Sequence, residues 1–182
     1  MSLRWLRHAL LAVAATGLAG TLRAADLSLA SGPAVVVDAS HLDVAGRRFK
    51  LYGIDAPDLD ETCNDADEKE YACGIEARNA LAGLVAGAAV SCLPRGPNEN
   101  AEALGVCSVG SGDVAQAMIA KGWAIADRTR TLYYEKAEED ARLTKLGLWQ
   151  GRFVPPVAWR LGERVPQSRS GGNKASSPGK LF

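Results

Sequence analysis

The stretch of sequence that decides the fold is FKLYGIDAPD, which occupies residues 49–58. A hydrophobic run ends in the carboxylate of Asp55, a proline turn follows, and a second carboxylate, Asp58, comes directly after the turn. The end of a strand holds acidic groups in a fixed position, where they can bind a hard cation or an attacking water molecule. The stretch therefore predicts a strand that leads into a candidate catalytic or metal-binding site.

Around this stretch, the chain has a pattern of short strands followed by helices. The predicted strands cover residues 34–38, 41–44, 47–54, 89–92 and 104–107. Apolar residues at helical spacing predict helices at residues 75–85 and 132–146, and a further helix that Asp113 caps and Gly122 ends. This order of elements is typical of an α+β domain.

Residues 55–70 form an acidic segment with eight carboxylates and one basic residue, Lys69. Their spacing lacks the central glycine and the regular acidic positions of an EF-hand calcium loop. We expect this segment to be a solvent-exposed loop.

The first 24 residues have the features of a secretory signal. Arg4 and Arg7 give a basic start, residues 9–19 are largely apolar, and Leu22-Arg23-Ala24 matches a cleavage site. A membrane anchor is the alternative, but the apolar run is shorter than the roughly 20 residues that a spanning helix needs. We therefore expect export to the periplasm or beyond, with no membrane span in the mature form.

The rest of the chain divides by composition into a linker at residues 25–33, a folded domain at 34–165 and a tail at 166–182. The tail is rich in Ser, Gly, Lys and Pro, and we expect it to be disordered.

The charge of the predicted mature domain is acidic. Removing residues 1–24 takes away three arginines and no acid, which leaves 18 basic against 21 acidic residues. Setting aside residues 167–182 leaves 15 against 21, a formal charge of −6. Proteins whose affinity comes from neutralising phosphates usually carry the opposite sign. The charge therefore disfavours strong nonspecific binding of nucleic acid.

Four cysteines, Cys63, Cys73, Cys92 and Cys107, lack the paired close spacing of common zinc sites. In an oxidising compartment their even number favours two disulfides, with three connectivities open. We prefer Cys63–Cys73, which would close the acidic segment, and Cys92–Cys107, which would join two neighbouring strands. A zinc site is the alternative.

The order and spacing of several motifs resemble the calcium-dependent nuclease family typified by micrococcal, staphylococcal-type nuclease. The matching pieces are LYGIDAP at 51–57, YACG at 71–74, GWA at 122–124, GLWQG at 147–151 and the segment from Phe153 to Arg160. The resemblance covers about residues 34–160. It implies a five-stranded OB-type β-barrel capped by three α-helices.

The resemblance also implies calcium as the cofactor. Where the family has Asp-Gly-Asp-Thr, this chain has Asp38-Ala39-Ser40-His41, so Ser40 replaces a ligand carboxylate. A neutral hydroxyl attracts a hard divalent ion less strongly than a carboxylate does. Asp55 matches the second ligand carboxylate and is intact. With Asp55, Asp38 and Ser40 as its donors, the implied calcium site is weak or lost.

Two further family positions are altered. Lys50 stands where the resemblance implies an arginine that grips the scissile phosphate, and lysine lacks the planar fork that holds two oxygens at once. Asp58 stands where the family has a glutamate that positions the attacking water. It is one methylene shorter, and a misplacement of about 1 Å can cost roughly 100-fold in rate.

A second family arginine, which stabilises charge on the phosphoryl group, is also absent. Counting back from Gly122 places Glu102 at this position, and aligning on Gly105 places Val106 there. Neither residue is a cation. The loss of one such donor typically costs roughly 100- to 1000-fold in rate.

Other interpretations are weaker. Ser40 and His41 are not interpreted as a nucleophile and its base, because adjacent strand residues point to opposite faces; His41 is interpreted as a surface or turn histidine. Tyr133 and Tyr134 are a candidate stacking platform for nucleic acid or sugars, whereas the tryptophans are interpreted as core or rim residues.

These observations predict an exported, monomeric OB-type domain that has lost efficient nuclease activity and serves as a binding or structural module. A weak calcium-dependent phosphodiesterase acting on DNA or RNA is one alternative. A module that binds oligosaccharides or another envelope ligand is the other.

Overall fold

The computed structural model describes residues 28–96 and 102–166. The predicted signal segment and nearly all of the predicted tail lie outside these ranges, so the structure does not bear on them. Among the described residues, no helix has the length and apolar character needed to cross a bilayer.

The described chain contains short strands, four α-helices and one 3₁₀ helix. The strands are β1 (Ala30–Val36), β2 (His41–Val44), β3 (Arg47–Leu51), β4 (Ile54–Asp55), β5 (Cys63–Asn64), β6 (Glu70–Tyr71), β7 (Ala89–Pro94), β8 (Ala103–Val109), β9 (Gly112–Asp113) and β10 (Ile125–Ala126). The helices are α1 (Cys73–Val85), α2 (Val114–Ala120), α3 (Glu135–Leu143), the 3₁₀ helix (Gly147–Gln150) and α4 (Pro156–Arg160).

The main sheet closes into a five-stranded barrel. Its strands run in the order β3-β2-β1-β7-β8, and a parallel pairing of β3 with β8 joins the two ends. The other four pairings are antiparallel. The predicted α+β class with an OB-type barrel is confirmed.

The first strand begins earlier than the sequence indicated. β1 starts at Ala30 rather than at residue 34, inside the segment interpreted as a linker. Its first half pairs with β7 and its second half pairs with β2, and Gly32-Pro33 lies just before the change of partner. A glycine and a proline at a barrel corner resemble loop residues, because both are rare in the interior of a flat strand.

The barrel core positions the strand that carries Lys50. The side chains of Leu42, Phe49 and Leu51 are fully buried, and each such burial contributes roughly 1.5–3 kcal/mol. The Phe49 ring lies against β8 at Gly105, where a Cβ atom would come within 2.6 Å of the ring. β3 and β8 are therefore held in close contact beside Lys50.

Helices α1, α2 and α3 pack in succession over the barrel. α2 has the predicted cap, since Asp113 accepts a hydrogen bond from the backbone N–H of Gln116 at 3.1 Å. α3 is shorter than predicted, because its amphipathic pattern extends into turns on both sides. The fourth helix, α4, was not predicted. It begins at Pro156, and its five residues are too few to show a helical period.

The acidic segment 55–70 is more ordered than a solvent-exposed loop, and that prediction was incomplete. β5 pairs with β6 across it. Glu61 within it is fully buried, and Asn64 is 8% exposed. The many carboxylates of this segment indicated exposure to solvent. Part of the segment is instead enclosed because it packs against α1.

Both disulfides follow the pairing preferred from the sequence. Cys63 bonds to Cys73, and Cys92 bonds to Cys107 across the facing positions of β7 and β8. No cysteine remains free. The alternative of a zinc site built from these cysteines therefore fails, because a cysteine binds zinc as a thiolate and all four sulfurs are in disulfides.

Candidate functional site

An open cavity of about 430 Å³ lies on the barrel surface where β3, β4 and β10 meet. Its lining includes Lys50, Asp55, Leu104, Arg128, Val157 and Arg160. The strands place Lys50 here, because its partners across β2 and β8 are His41 and Leu104. The Lys50 ammonium group has no hydrogen bond or ion pair within the described chain.

Arg160 joins the two predicted site carboxylates. Its Nη2 atom lies 2.6 Å and 2.8 Å from the two carboxylate oxygens of Asp55, and its Nη1 atom lies 3.2 Å from Oδ1 of Asp58. Asp55 is fixed by β4, where it pairs with Ile125 of β10. The structure thus brings Asp55 and Asp58 together, with a guanidinium between them.

The position of Arg160 depends on the packing of α4. Pro156 at the start of the helix is fully buried, and Trp159 is only 8% exposed. The guanidinium of Arg164 stacks on the Trp159 ring, with its Cζ 3.7 Å from the ring centroid. Arg160 is therefore held by a helix whose neighbouring residue is anchored in the body of the domain.

The other predicted site residues gather around His41. Its Nδ1 atom lies 2.8 Å from each carboxylate oxygen of Asp38, and its Nε2 atom lies 3.4 Å from Oε2 of Glu102. The Ser40 hydroxyl donates to Asp38 at 3.1 Å and lies 3.0 Å from His41 Nδ1. Among the described residues, no hydrogen bond or ion pair connects this cluster to Asp55 or Asp58.

Electrostatics keep Asp38 ionised. Burial alone would raise the pKa of Asp38, but hydrogen bonds from the His41 side chain and the Ser40 backbone outweigh burial and lower this pKa to about 2. Asp38 is therefore a carboxylate whose oxygens already have donors.

One interpretation of this region was wrong, and another was right only in part. Ser40 and His41 do not point apart, because Ser40 lies in the bend before β2, where strand alternation does not apply. His41 lies at the end of this bend, as expected of a turn histidine, but it is not freely exposed, since its side chain is 17% exposed between two acidic groups. The conclusion against a serine nucleophile is unaffected. The Ser40 hydroxyl is buried and donates to Asp38 at 3.1 Å, and the Nδ1 atom of His41 faces both oxygens of the same carboxylate.

The carboxylate oxygens implied as calcium ligands are already occupied by hydrogen bonds. Both oxygens of Asp55 accept from Arg160, and those of Asp38 are engaged by His41 and Ser40. Ca²⁺ takes six to eight oxygen ligands, with carboxylates as its strongest donors. In this arrangement the predicted calcium ligands do not fit the ion.

Glu61 is a buried acid that the sequence did not single out. Its Oε2 accepts from the backbone N–H of Asp58 at 3.3 Å, and its Oε1 has no partner within the described residues. Burial raises the pKa of Glu61 to about 7. A Glu61 oxygen also lies within 4.8 Å of the sulfurs of Cys63 and Cys73, but those sulfurs form a disulfide and cannot ligate a metal as thiolates.

The candidate stacking platform is not formed. Tyr134 is 2% exposed and donates a hydrogen bond to Asp113, whereas Tyr133 is 70% exposed. Their rings meet edge to face at 5.3 Å, so they do not present two parallel faces to a ligand. Of the tryptophans, Trp159 is buried, as a core or rim position requires.

Arg160 is the main site residue whose role the sequence did not indicate. It lies 105 positions after Asp55, at the end of a segment that resembled the family through its aromatic and proline residues. No local pattern connects an arginine there to a carboxylate on β4. The one available signal was the run Pro155-Pro156, which marks a rigid turn back towards the domain.

Comparison with known proteins relates this chain to a protein family and to a curated protein. A family model described as Staphylococcal nuclease homologue matches residues 48–151, a range that contains Lys50, Asp55, Asp58 and Glu102. The succinoglycan biosynthesis protein ExoI of Rhizobium meliloti (strain 1021) is 31% identical over 134 residues, which cover 72% of this chain and 70% of ExoI.

Proposed function

The chain belongs to the staphylococcal nuclease homologue family, and we propose that it is a member without efficient nuclease activity that serves as a binding or structural module. We further propose that it is exported and acts as a monomer. Two disulfides support an oxidising compartment, since such bonds are rare where thiols are kept reduced.

The observation that carries this proposal is the position of Glu102. Phosphoryl transfer depends on cations that stabilise negative charge on the reacting phosphate. Glu102 lies just before β8, and its Oε2 atom is 3.4 Å from Nε2 of His41, the partner of Lys50 on β2, so Glu102 is on the face that Lys50 occupies. We therefore place an acid where the family has a cation. Of the cations named in the cavity lining, Arg128 and Arg160 are paired with carboxylates, and Lys50 has no such partner among the described residues.

Two further features support the loss of efficient activity. The Ser40 hydroxyl is neutral and therefore brings no charge to a metal site. It is also buried and hydrogen-bonded to Asp38. The folded part of the chain also has an excess of acidic residues, which disfavours the approach of a polyanion.

Hydrolysis of single-stranded DNA and RNA by the purified, oxidised protein tests the proposal. The reactions are run with calcium and with a chelator, beside the variant Asp55→Ala. We expect cleavage no greater than that of Asp55→Ala under either condition. Calcium-dependent cleavage that Asp55→Ala abolishes would instead establish the alternative, a phosphodiesterase with Asp55 and Asp38 at the metal, Asp58 at the water and Lys50 at the phosphate.

A second candidate, binding of an envelope saccharide, is favoured by the name of ExoI, which refers to succinoglycan biosynthesis. A groove of about 460 Å³ offers a suitable surface. Trp149 and Phe153 meet edge to face at 5.0 Å in its wall, beside the ion pair of Arg142 with Glu139. Aromatic faces with a few polar groups are common in ligand sites.

Titration calorimetry with succinoglycan oligosaccharides tests this second candidate. We expect saturable binding that Phe153→Ala weakens and that Asp67→Ala, an exposed control outside the groove, leaves unchanged. Absence of heat with the wild-type protein would contradict it.

A further inference from the structure

We infer that Arg160 is the built-in cation of this site: its guanidinium takes the carboxylate ligands that a calcium ion would need, so the wild-type protein does not bind calcium at Asp55. The inference deepens the proposed function and rests on it for the identity of the site.

Arg160 occupies both oxygens of Asp55, the intact carboxylate among the implied calcium ligands. Both oxygens of Asp55 accept from one nitrogen, and Asp58 accepts from another, so the guanidinium bridges two acids at 2.6–3.2 Å. Hydrogen bonds between a charged donor and a charged acceptor are among the stronger hydrogen bonds in proteins. A calcium ion at Asp55 has to displace these bonds.

The pair is partly shielded from water. The Asp55 side chain is 18% exposed and that of Arg160 is 38% exposed, whereas the separate Arg48–Asp43 pair is exposed to 43% and 35%. Salt and solvent screen a partly buried pair less than an exposed pair. Because guanidinium remains protonated at any pH the protein meets, this cation does not dissociate by losing a proton.

Tethering gives Arg160 an advantage over a free ion. α4 is anchored by buried Pro156 and Trp159, and it holds Arg160 beside Asp55. A tethered group acts at an effective concentration that is about millimolar or higher when the geometry fits. To bind at Asp55, free calcium must compete with a guanidinium at this effective concentration. Ser40 has no carboxylate that would raise the affinity of the site for calcium.

The test measures calcium binding directly, by titration calorimetry with calcium chloride in the absence of nucleic acid. The variants are Arg160→Gln, which removes the cation, and Arg160→Lys, which keeps a positive charge at the same place. Arg48→Gln is the matched control, because Arg48 forms a comparable two-bond pair with Asp43 outside the site.

We expect Arg160→Gln to bind calcium at least about tenfold more tightly than the wild-type protein, since two carboxylates become available to the ion. Arg160→Lys and Arg48→Gln should behave like wild type. Adding Asp55→Asn to Arg160→Gln should abolish the new binding. Thermal unfolding of each variant shows whether it is folded, and Arg160→Lys tests the role of charge if Arg160→Gln does not fold.

Two results would overturn the inference. The first is calcium binding at Asp55 in the wild-type protein that is as tight as in Arg160→Gln. The second applies if Arg160→Gln does not fold: it is calcium binding by Arg160→Lys that is as tight as the binding expected of Arg160→Gln. Failure of the proposed function is distinguishable from either. Cleavage of nucleic acid in the presence of chelator would overturn the proposed function and leave the calcium inference intact. Calcium binding by the wild-type protein without cleavage would overturn the calcium inference and leave the proposed function intact.

Discussion

The hydroxyl of Tyr134 donates a hydrogen bond of 2.8 Å to the carboxylate of Asp113. The same carboxylate caps α2 through the backbone N–H of Gln116, so one acid ties the start of α2 to the residue before α3. The Tyr134 ring also packs against Gly53, where a Cβ would lie 2.8 Å from the ring. This contact connects the helical layer to the turn that precedes Asp55.

We expect Asp113→Ala to lower the free energy of unfolding by about 2–3 kcal/mol, because it removes a helix cap and leaves a buried tyrosine hydroxyl without an acceptor. Chemical denaturation measures the change, with Asp67→Ala as an exposed control. In a double-mutant cycle, Tyr134→Phe should remove part of the cost of Asp113→Ala. Simple additivity of the two substitutions would contradict the proposed coupling.

Glu61 should make stability depend on pH between its ordinary and its folded pKa. Burial raises the pKa of Glu61 from 4.5 to about 7, with Asp58, Asp55 and Arg160 as the charged groups nearby. The folded protein therefore retains a proton that the unfolded chain releases. This contribution is complete below about pH 4.5 and is lost as the pH rises through about 7.

We expect the free energy of unfolding to fall by up to roughly 3 kcal/mol over this window because of Glu61. Glu61→Gln keeps the shape and removes the titration, so its stability should decline less over the same range. Denaturation curves at closely spaced pH values measure the difference. Parallel pH profiles for the two proteins would count against a buried, protonated Glu61.

Gly74 and Gly83 in α1 should respond oppositely to alanine. A Cβ at Gly74 would lie 1.8 Å from the carbonyl oxygen of Asp58, whereas nothing lies within 4 Å of a Cβ at Gly83. We expect Gly74→Ala to destabilise by at least about 2 kcal/mol through overpacking. Gly83→Ala should stabilise by about 0.5–1 kcal/mol, because glycine is a poor helix former. Thermal unfolding checks both, and a tolerated Gly74→Ala would show that α1 is not held against Asp58.

Removal of each disulfide should raise amide hydrogen exchange in a different part of the domain. Replacing either pair with alanine should cost roughly 2–4 kcal/mol. Cys63–Cys73 packs in a small separate cluster with Leu148, so we expect faster amide hydrogen exchange confined to β5, β6 and the start of α1. Cys92–Cys107 joins two barrel strands, and its loss should raise exchange across β7 and β8. Identical exchange patterns for the two variants would contradict this assignment.

Much of the fold was predictable because its signals are local. β2 was predicted at its observed bounds from the turn at Ala45-Gly46 and the apolar alternation beside it. The cap of α2 was predicted from Asp113 alone. The resemblance supplied the barrel, whose closure between β3 and β8 joins distant segments that periodicity cannot pair.

The candidate site was predictable only as a set of residue types. The sequence placed Lys50, Asp55 and Asp58 at a strand end and identified Ser40 and Glu102 as departures from the family pattern. It did not show that His41 lies between Asp38 and Glu102. A bend outside the strand decides that contact, and the period of two applies only within strands.

The sequence by itself determined the elements, the α+β class and the chemical groups available, since each depends on residues a few positions apart. The tertiary structure decided which groups neutralise one another. Arg160 meets Asp55 across 105 positions, and Glu61 becomes a buried acid only when α1 packs over its segment. Electrostatic pairing and desolvation depend on distance in space, and the folded chain sets that distance.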